Sequence, residues 1–334
     1  MISCLRRAGV EVRERHASVW EEDEHKWKAG GGALARLAAA ELKLLRREGQ
    51  DFDVLVVGYP GQLDLPAARW AARGKPIVFN PLVSLWDTWV SDRARFTSGS
   101  AAGRALARID RAAFRAADLT VTDTEQSARF FTDLARLPRE RFAVCLVGAE
   151  ERIFHPPWSP SESFLFVGKL IPLHGLETIL AAARLVPELT ITIAGGGQLD
   201  SLLEARPPNV EWVPWIEYEQ LGDSYRAARC ALGVFGTSPK AARVIPNKVF
   251  QAIACGTPVI TADTPAAREL LIDGESALLV PPGDPEALAA ALRRAAEDRE
   301  LLARIAAGGR EAYERHASED VLGHRWREVL EGAA

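Results

Sequence analysis

The chain has 334 residues, 48% hydrophobic and 26% charged, and its 41 Lys and Arg against 45 Asp and Glu leave a formal charge of −4. That length suits two domains with separate cores, the slight acidity gives no electrostatic attraction to nucleic acid, and no apolar run approaches the ~20 residues of a membrane span. Cys4, Cys145, Cys230 and Cys255 form no C-x-x-C pair and no signal peptide is visible at Met1; structural zinc and a disulfide framework are thus not expected, and the expected location is the cytosol, at most peripheral at a membrane.

In chain order, the start reads as a helical stretch, ISCLRRAG, feeding a strand near Val10–Val12. A doubly wound domain normally begins with a strand and a turn, so the first strand is expected to be missing. Helices follow at Ala33–Arg47, Leu63–Arg73, Ala101–Ala117 and Glu125–Ala135. Strands fall at Val54–Val57, Ile77–Phe79, Leu119–Thr122 and Phe142–Val147. The Pro- and Ser-rich segment 155–163 reads as a linker. Beyond it, strands are predicted at Phe164–Val167, Thr190–Ala194, Val210–Val213, Leu232–Phe235, Val259–Thr261 and Leu278–Val280. Helices are predicted at Leu176–Leu185, Glu219–Ala228, Asn247–Ala254, Pro265–Leu271, Pro285–Ala296 and Leu301–Arg315. Strands alternating with helices predict parallel sheets covered on both faces. The expected layout is an α/β fold with residues 1–154 and 164–316 as two domains, and 317–334 as a helix returning to the first.

In the first domain, SLWDTWVSDR sets aromatic rings beside Asp87, Asp92 and Arg93. Such a group suits a sugar, although Trp86 and Trp89 serve equally well as core. Arg104, Arg108, Arg111 and Arg115 recur on one face of a helix, a spacing that meets anionic lipid or a lipid phosphate. The commoner role of such a stripe is a solvated face paired with carboxylates.

In the second domain, Gly168-Lys169 ends a strand and His174-Gly175 precedes a helix. Two such groups flanking one crevice would neutralise a diphosphate, while a solvated lysine and a turn-capping histidine are the plainer alternative. Gly195, Gly196 and Gly197 follow a strand, where glycine lets either a ligand or neighbouring backbone come close. In RVIPNKVFQAIACG, Pro246 opens a helix with Asn247 and Lys248 in its first turn. Unpaired N–H groups and the positive dipole end suit a phosphate there, and Lys248 adds a full charge. Glu269 sits in DTPAARELL, either accepting from sugar hydroxyls or complementing a helix dipole. No G-x-S-x-G, H-E-x-x-H or G-x-x-x-x-G-K-[ST] is present, and no metal or cofactor is expected.

The ordered set FLFVGKLIPLHGLETILAA, TITIAGGG, NKVFQAIACGTPVITADTPAARELL and DGESALLVPPGDPEALAAAL resembles the donor domain of the retaining glycosyltransferases of family 4, with the looser ADLTVTDT and VGAEERIFHP in the first half. The resemblance implies the GT-B fold, two Rossmann-like doubly wound domains around a cleft. It also implies metal-independent transfer from a nucleotide-diphosphate sugar to a glycan or lipid-linked acceptor. Lys169 and His174 stand where the family holds phosphate, Gly195–Gly197 near the nucleotide, Trp215–Ile216 at the base, and Glu269 near the donor. The family's paired glutamates fall on Arg243 and Gln251. Gln251 still bonds ribose hydroxyls, whereas Arg243 cannot accept from a sugar. Lys169, Lys248 and the helix start at Pro246 would stabilise the leaving diphosphate. A catalytically impaired partner of another transferase, and less favourably a nucleotide-sugar epimerase on the same fold, are the competing expectations.

Overall fold

The computed structural model describes residues 1–16, 52–93 and 95–334. The first sheet is parallel with order β1 (Leu55–Val57), β2 (Ile77–Phe79), β3 (Leu119–Thr122), β4 (Phe142–Val144). Its central strand β2 is an uninterrupted apolar run because both faces are covered; Ile77, Val78 and Phe79 are fully buried. On one face lie α2 (Leu65–Ala72), α3 (Ala101–Ala116) and α4 (Glu125–Ala135), around Phe79, Phe114, Phe131 and Phe142. The other face carries α1 (Ile2–Arg7) and the last helix of the chain, which bury Leu5, Val78, Val121 and Trp326 together.

The second sheet has six parallel strands: β5 (Phe164–Val167), β6 (Ile191–Ala194), β7 (Val210–Val213), β8 (Cys230–Leu232), β9 (Val259–Ala262) and β10 (Leu278–Val280). Their spatial order is β10-β9-β8-β5-β6-β7. From β5 the chain builds outward through β6 and β7, then returns to place β8 on the opposite side of β5. The order therefore reverses at β5, and an open α/β sheet forms a crevice at the carboxyl ends of the strands flanking such a reversal. Helices α5 (Leu176–Leu185), α6 (Leu221–Ala227), α7 (Asn247–Ala254), α8 (Pro285–Glu297) and α9 (Arg299–His316) cover this sheet. The last helix, α10 (Glu319–Ala333), then crosses to α1. Gly323 makes that crossing close, since a Cβ there would stand 2.4 Å from the Cys4 carbonyl oxygen.

Several elements depart from expectation. Val10–Val12 is coil, because its apolar alternation finds a packing surface but no ladder partner. The strand expected at Leu232–Phe235 begins instead at Cys230. Its downstream glycines meet neighbouring chain closely: a Cβ at Gly236 would lie 2.3 Å from the Leu173 carbonyl oxygen. Pro265–Leu271 shortens to a 3-10 turn at Ala267–Glu269, inside which Thr264 Oγ1 accepts from Ala267 N–H at 3.0 Å. The predicted helix Ala33–Arg47 lies outside the described residues.

Candidate functional site

The carboxyl end of β5 continues into Gly168 and Lys169, and the start of α7 brings Lys248 against it. A Cβ at Gly168 would lie 2.9 Å from Lys248 Nζ and 3.3 Å from His174 Cε1, so Lys248, distant in the chain, meets both at the carboxyl end of β5. Gly168 has φ +148, a conformation that side chains rarely adopt, which matches its role of leaving that space open. Lys248 is buried, its ammonium sits 3.8 Å from the centroid of Phe166, and Nζ has no hydrogen-bond partner. Burial holds its pKa well below the ordinary lysine value. His174 donates from Nδ1 to the Lys169 carbonyl, and burial followed by the nearby Lys248 charge pushes its pKa well down. A carbonyl only accepts, so with the ring neutral Nδ1 carries the proton and Nε2 is bare.

Of the three consecutive glycines, Gly195 and Gly197 are required by this turn itself. A Cβ at Gly195 would come within 2.1 Å of the Gly168 carbonyl oxygen, and one at Gly197 within 2.9 Å of Leu170 backbone. Gly196 alone would admit a Cβ, at ordinary contact 3.5 Å from Asp200 Oδ2. Asp200 Oδ1 in turn accepts from Gly197 N–H at 2.6 Å. Trp215 is 71% exposed with its indole N–H donated to Glu217, and Ile216 packs on the core beside it. Pro246 caps α7, Asn247 is exposed in its first turn, and Gln251 accepts from the Tyr225 hydroxyl at 3.3 Å.

Arg243 and Glu269 instead reach the amino-terminal half. Arg243 donates to Asp87 Oδ1 at 2.7 Å and lies 4.0 Å over the Phe130 ring. Its carbonyl accepts from the Thr124 hydroxyl at 2.5 Å. The Glu269 carboxylate accepts from the N–H groups of Glu125 and Gln126, at 2.8 and 3.1 Å, which are orphan donors in the first turn of α4. Thr124 satisfies another by accepting from Ser127 N–H. Glu269 thus does complement a helix dipole, but that of a helix from the other sheet. Arg93 lies 5.0 Å from the Trp89 ring.

Three further residues belong to this junction and carried no signal in the sequence. Lys240 donates to Thr88 at 3.1 Å and sits 3.7 Å from Asp92. Asp110, fully buried on α3, accepts from Ser84 Oγ, Leu85 N–H and Trp86 N–H and so pins the loop that presents Asp87. Asp123, at the end of β3, is 8% exposed with Oδ1 unpartnered. Burial above all, with the Glu269 charge adding to it, raises its pKa to about 6. Among the described residues no group of His, Cys, Asp or Glu is arranged to hold a metal ion, and no helix is long and apolar enough to cross a membrane.

The sequence profile described as "Glycosyl transferases group 1" matches residues 161–298, and "Glycosyl transferase 4-like domain" matches residues 3–148. The D-inositol 3-phosphate glycosyltransferase of Thermobispora bispora is 30% identical over 224 residues, covering 58% of this chain and 51% of that one. The phosphatidyl-myo-inositol mannosyltransferase of Mycobacterium leprae is 28% identical over 278 residues, covering 80% and 70% respectively. The chain thus spans about half the length of the inositol-phosphate enzymes it matches. Among solved structures, Anabaena HepE in complex with UDP-glucose superposes with a TM-score of 0.70 at 18% identity, covering 90% of this chain and 84% of that one. Sucrose-phosphate synthase from Thermosynechococcus elongatus gives 0.73 at 18% identity, covering 90% and 78%. With both halves matched by transferase profiles and two parallel sheets of GT-B form, the chain belongs to the group 1 glycosyltransferases of family 4.

Proposed function

We propose that this chain transfers a sugar, with retention and without a divalent cation, from a nucleotide-diphosphate donor to an acceptor held by the amino-terminal half. The observation that carries the reading is Lys248: a buried ammonium without a counter-ion, beside His174 and the end of β5. An unpaired buried cation is unfavourable, so a diphosphate brought against it removes a penalty and adds charge-assisted hydrogen bonds. As the bond between the anomeric carbon and the β-phosphate oxygen breaks, negative charge builds on that diphosphate. Lys248 and the first-turn N–H groups of α7 then stabilise the transition state more than the ground state, and the acceptor oxygen bonds to the anomeric carbon as its hydroxyl proton passes to the departing diphosphate. HepE was solved with UDP and with UDP-glucose, which supports a uridine nucleotide as the first donor to try. Cytosolic or membrane-peripheral action is the corresponding setting.

A panel of UDP-, GDP- and ADP-sugars in a thermal-shift assay tests this. One nucleotide is expected to raise Tm selectively, and Lys248→Met to weaken its binding by about tenfold or more, ~1.4 kcal/mol. Absence of stabilisation by every donor would sink the reading. A second reading, a nucleotide-binding partner without turnover, is favoured by one feature: Arg243, at the position of the family's first acid, is engaged with Asp87. Selective donor binding with no glycoside formed in the presence of acceptor would favour that partner role.

A further inference from the structure

The arginines of α3 do not behave as a solvated, carboxylate-paired face. Among the described residues, some exposed guanidinium groups take carboxylate partners, such as Arg152 with Glu219, Arg268 with Asp263 and Arg293 with Glu188. Arg104, Arg108, Arg111 and Arg115 pair with no carboxylate among the described residues, and Arg104 donates to the Gly99 carbonyl. Arg111 donates Nε to the Leu134 carbonyl at 2.8 Å, and Arg115 donates to the Ala135 carbonyl at 3.3 Å, so the end of α4 holds both stems in place. The terminal nitrogens of Arg111 are left over.

These side chains rim a hollow of about 470 Å³ between α3 and α4. Arg104, Arg108 and Arg111 stand on one side, and the rings of Trp86 and Phe130, 6.4 Å apart, form an apolar wall. Asp133 is the only acid lining it, so the lining carries a net charge of +2. A second hollow of about 310 Å³ shares Arg108 and Arg111 and adds Arg115 and Arg136. The first is of the size that small-molecule sites have. Its position matters as much. Phe130 also lies under Arg243, and Trp86 adjoins Asp87, so the hollow borders the junction between the two halves.

We propose that this hollow seats the phosphate of the acceptor, with an apolar or ring-shaped part of that molecule against Trp86 and Phe130. Guanidinium groups that lack carboxylate partners are suited to bidentate contact with a phosphoryl group, and the wall excludes water from one side of it. The proposal rests on the transferase reading and names its second substrate as phosphate-bearing, whether a soluble phosphate ester or a lipid headgroup.

The test uses the full chain saturated with UDP, which occupies the Lys248 site and so prevents competition there. Phenyl phosphate is the soluble probe; vesicles of phosphatidylglycerol, with phosphatidylcholine as control, are the lipid probe. Arg104→Ala/Arg108→Ala, both at exposed positions, is expected to weaken the bound probe at least tenfold, while Arg115→Ala leaves phenyl phosphate binding unchanged. Selective binding of phenyl phosphate identifies a soluble ester, and selective retention on phosphatidylglycerol vesicles identifies a headgroup. Equal binding by the parent and the double variant, or no binding of either probe, overturns the proposal. Failure of UDP to bind any of these proteins would instead count against the transferase reading, and the probe measurements on the unliganded chain would still decide the hollow.

Discussion

At the scale of single residues, buried Lys248 and buried Asp123 shift in opposite directions. Burial disfavours the protonated form of Lys248, and burial followed by the Lys248 charge disfavours that of His174. A diphosphate reverses that preference, so its binding is expected to take up protons and its affinity to fall as pH rises through the free protein's values. Calorimetry of UDP binding in two buffers of different ionisation enthalpy reads the uptake directly; equal heats in both would refute it. Asp123 shows the opposite sign. Its folded pKa of about 6 lies above the ordinary carboxyl value, so the folded state binds its proton more tightly than the unfolded state does. The resulting penalty is absent at low pH, grows between pH ~4 and 6, and is complete above that. Asp123→Asn is therefore expected to stabilise the protein by about 3 kcal/mol at pH 7.5 but only about 1 kcal/mol at pH 4.5, on a scale of ~1.36 kcal/mol per pH unit. Urea unfolding at both pH values checks this, and a gain independent of pH would show that ionisation is not its cause.

At the scale of elements, much was legible because burial and periodicity agree locally. The bounds of β2, β3, β5, α4, α5 and α7 are those the apolar pattern and capping residues imply, with Thr124 ahead of α4 and Pro246 ahead of α7. The pattern failed where the deciding contact is distant. Val10 and Val12 look like a strand but have no ladder to join, and the CALGVF run leaves open which of its residues pair. Legibility of the candidate site divides the same way. Gly168, Lys169, His174 and Lys248 lie at strand ends and a helix start, which local rules locate. The partners of Arg243 and Glu269 sit on another sheet, and no spacing rule reaches them. The start of α4 is the clearest case: its own sequence supplies Thr124, and Glu269 supplies the rest. Glu269→Ala is expected to lower stability by about 1 kcal/mol, the usual scale for losing a helix cap, with Glu269→Gln recovering part of it. A loss in donor affinity with no loss in stability would reassign Glu269 to ligand binding.

At the scale of the molecule, the two halves meet through polar contacts of unusual dryness. The Asp87 and Asp92 side chains are 6% and 3% exposed, and their partners Arg243 and Lys240 18% and 10%. Such pairs are weakly screened by salt, and removing one member strands the other in a poorly solvated place. Arg243→Ala is expected to destabilise by ~3 kcal/mol, and Asp87→Ala in that background to restore part of it. A double-mutant cycle by chemical denaturation measures the coupling. Simple additivity of the two single changes would mean that the contact contributes little to holding the halves together.

The uncompensated ammonium under Phe166 also bears on what happens after the chemistry. A nucleoside diphosphate freed of its sugar carries more negative charge than the sugar-linked form, so the same cation grips the spent molecule harder than the incoming one. Turnover would then be paced by departure of the nucleotide, and accumulating UDP would act as a competitive brake whose strength Lys248 sets.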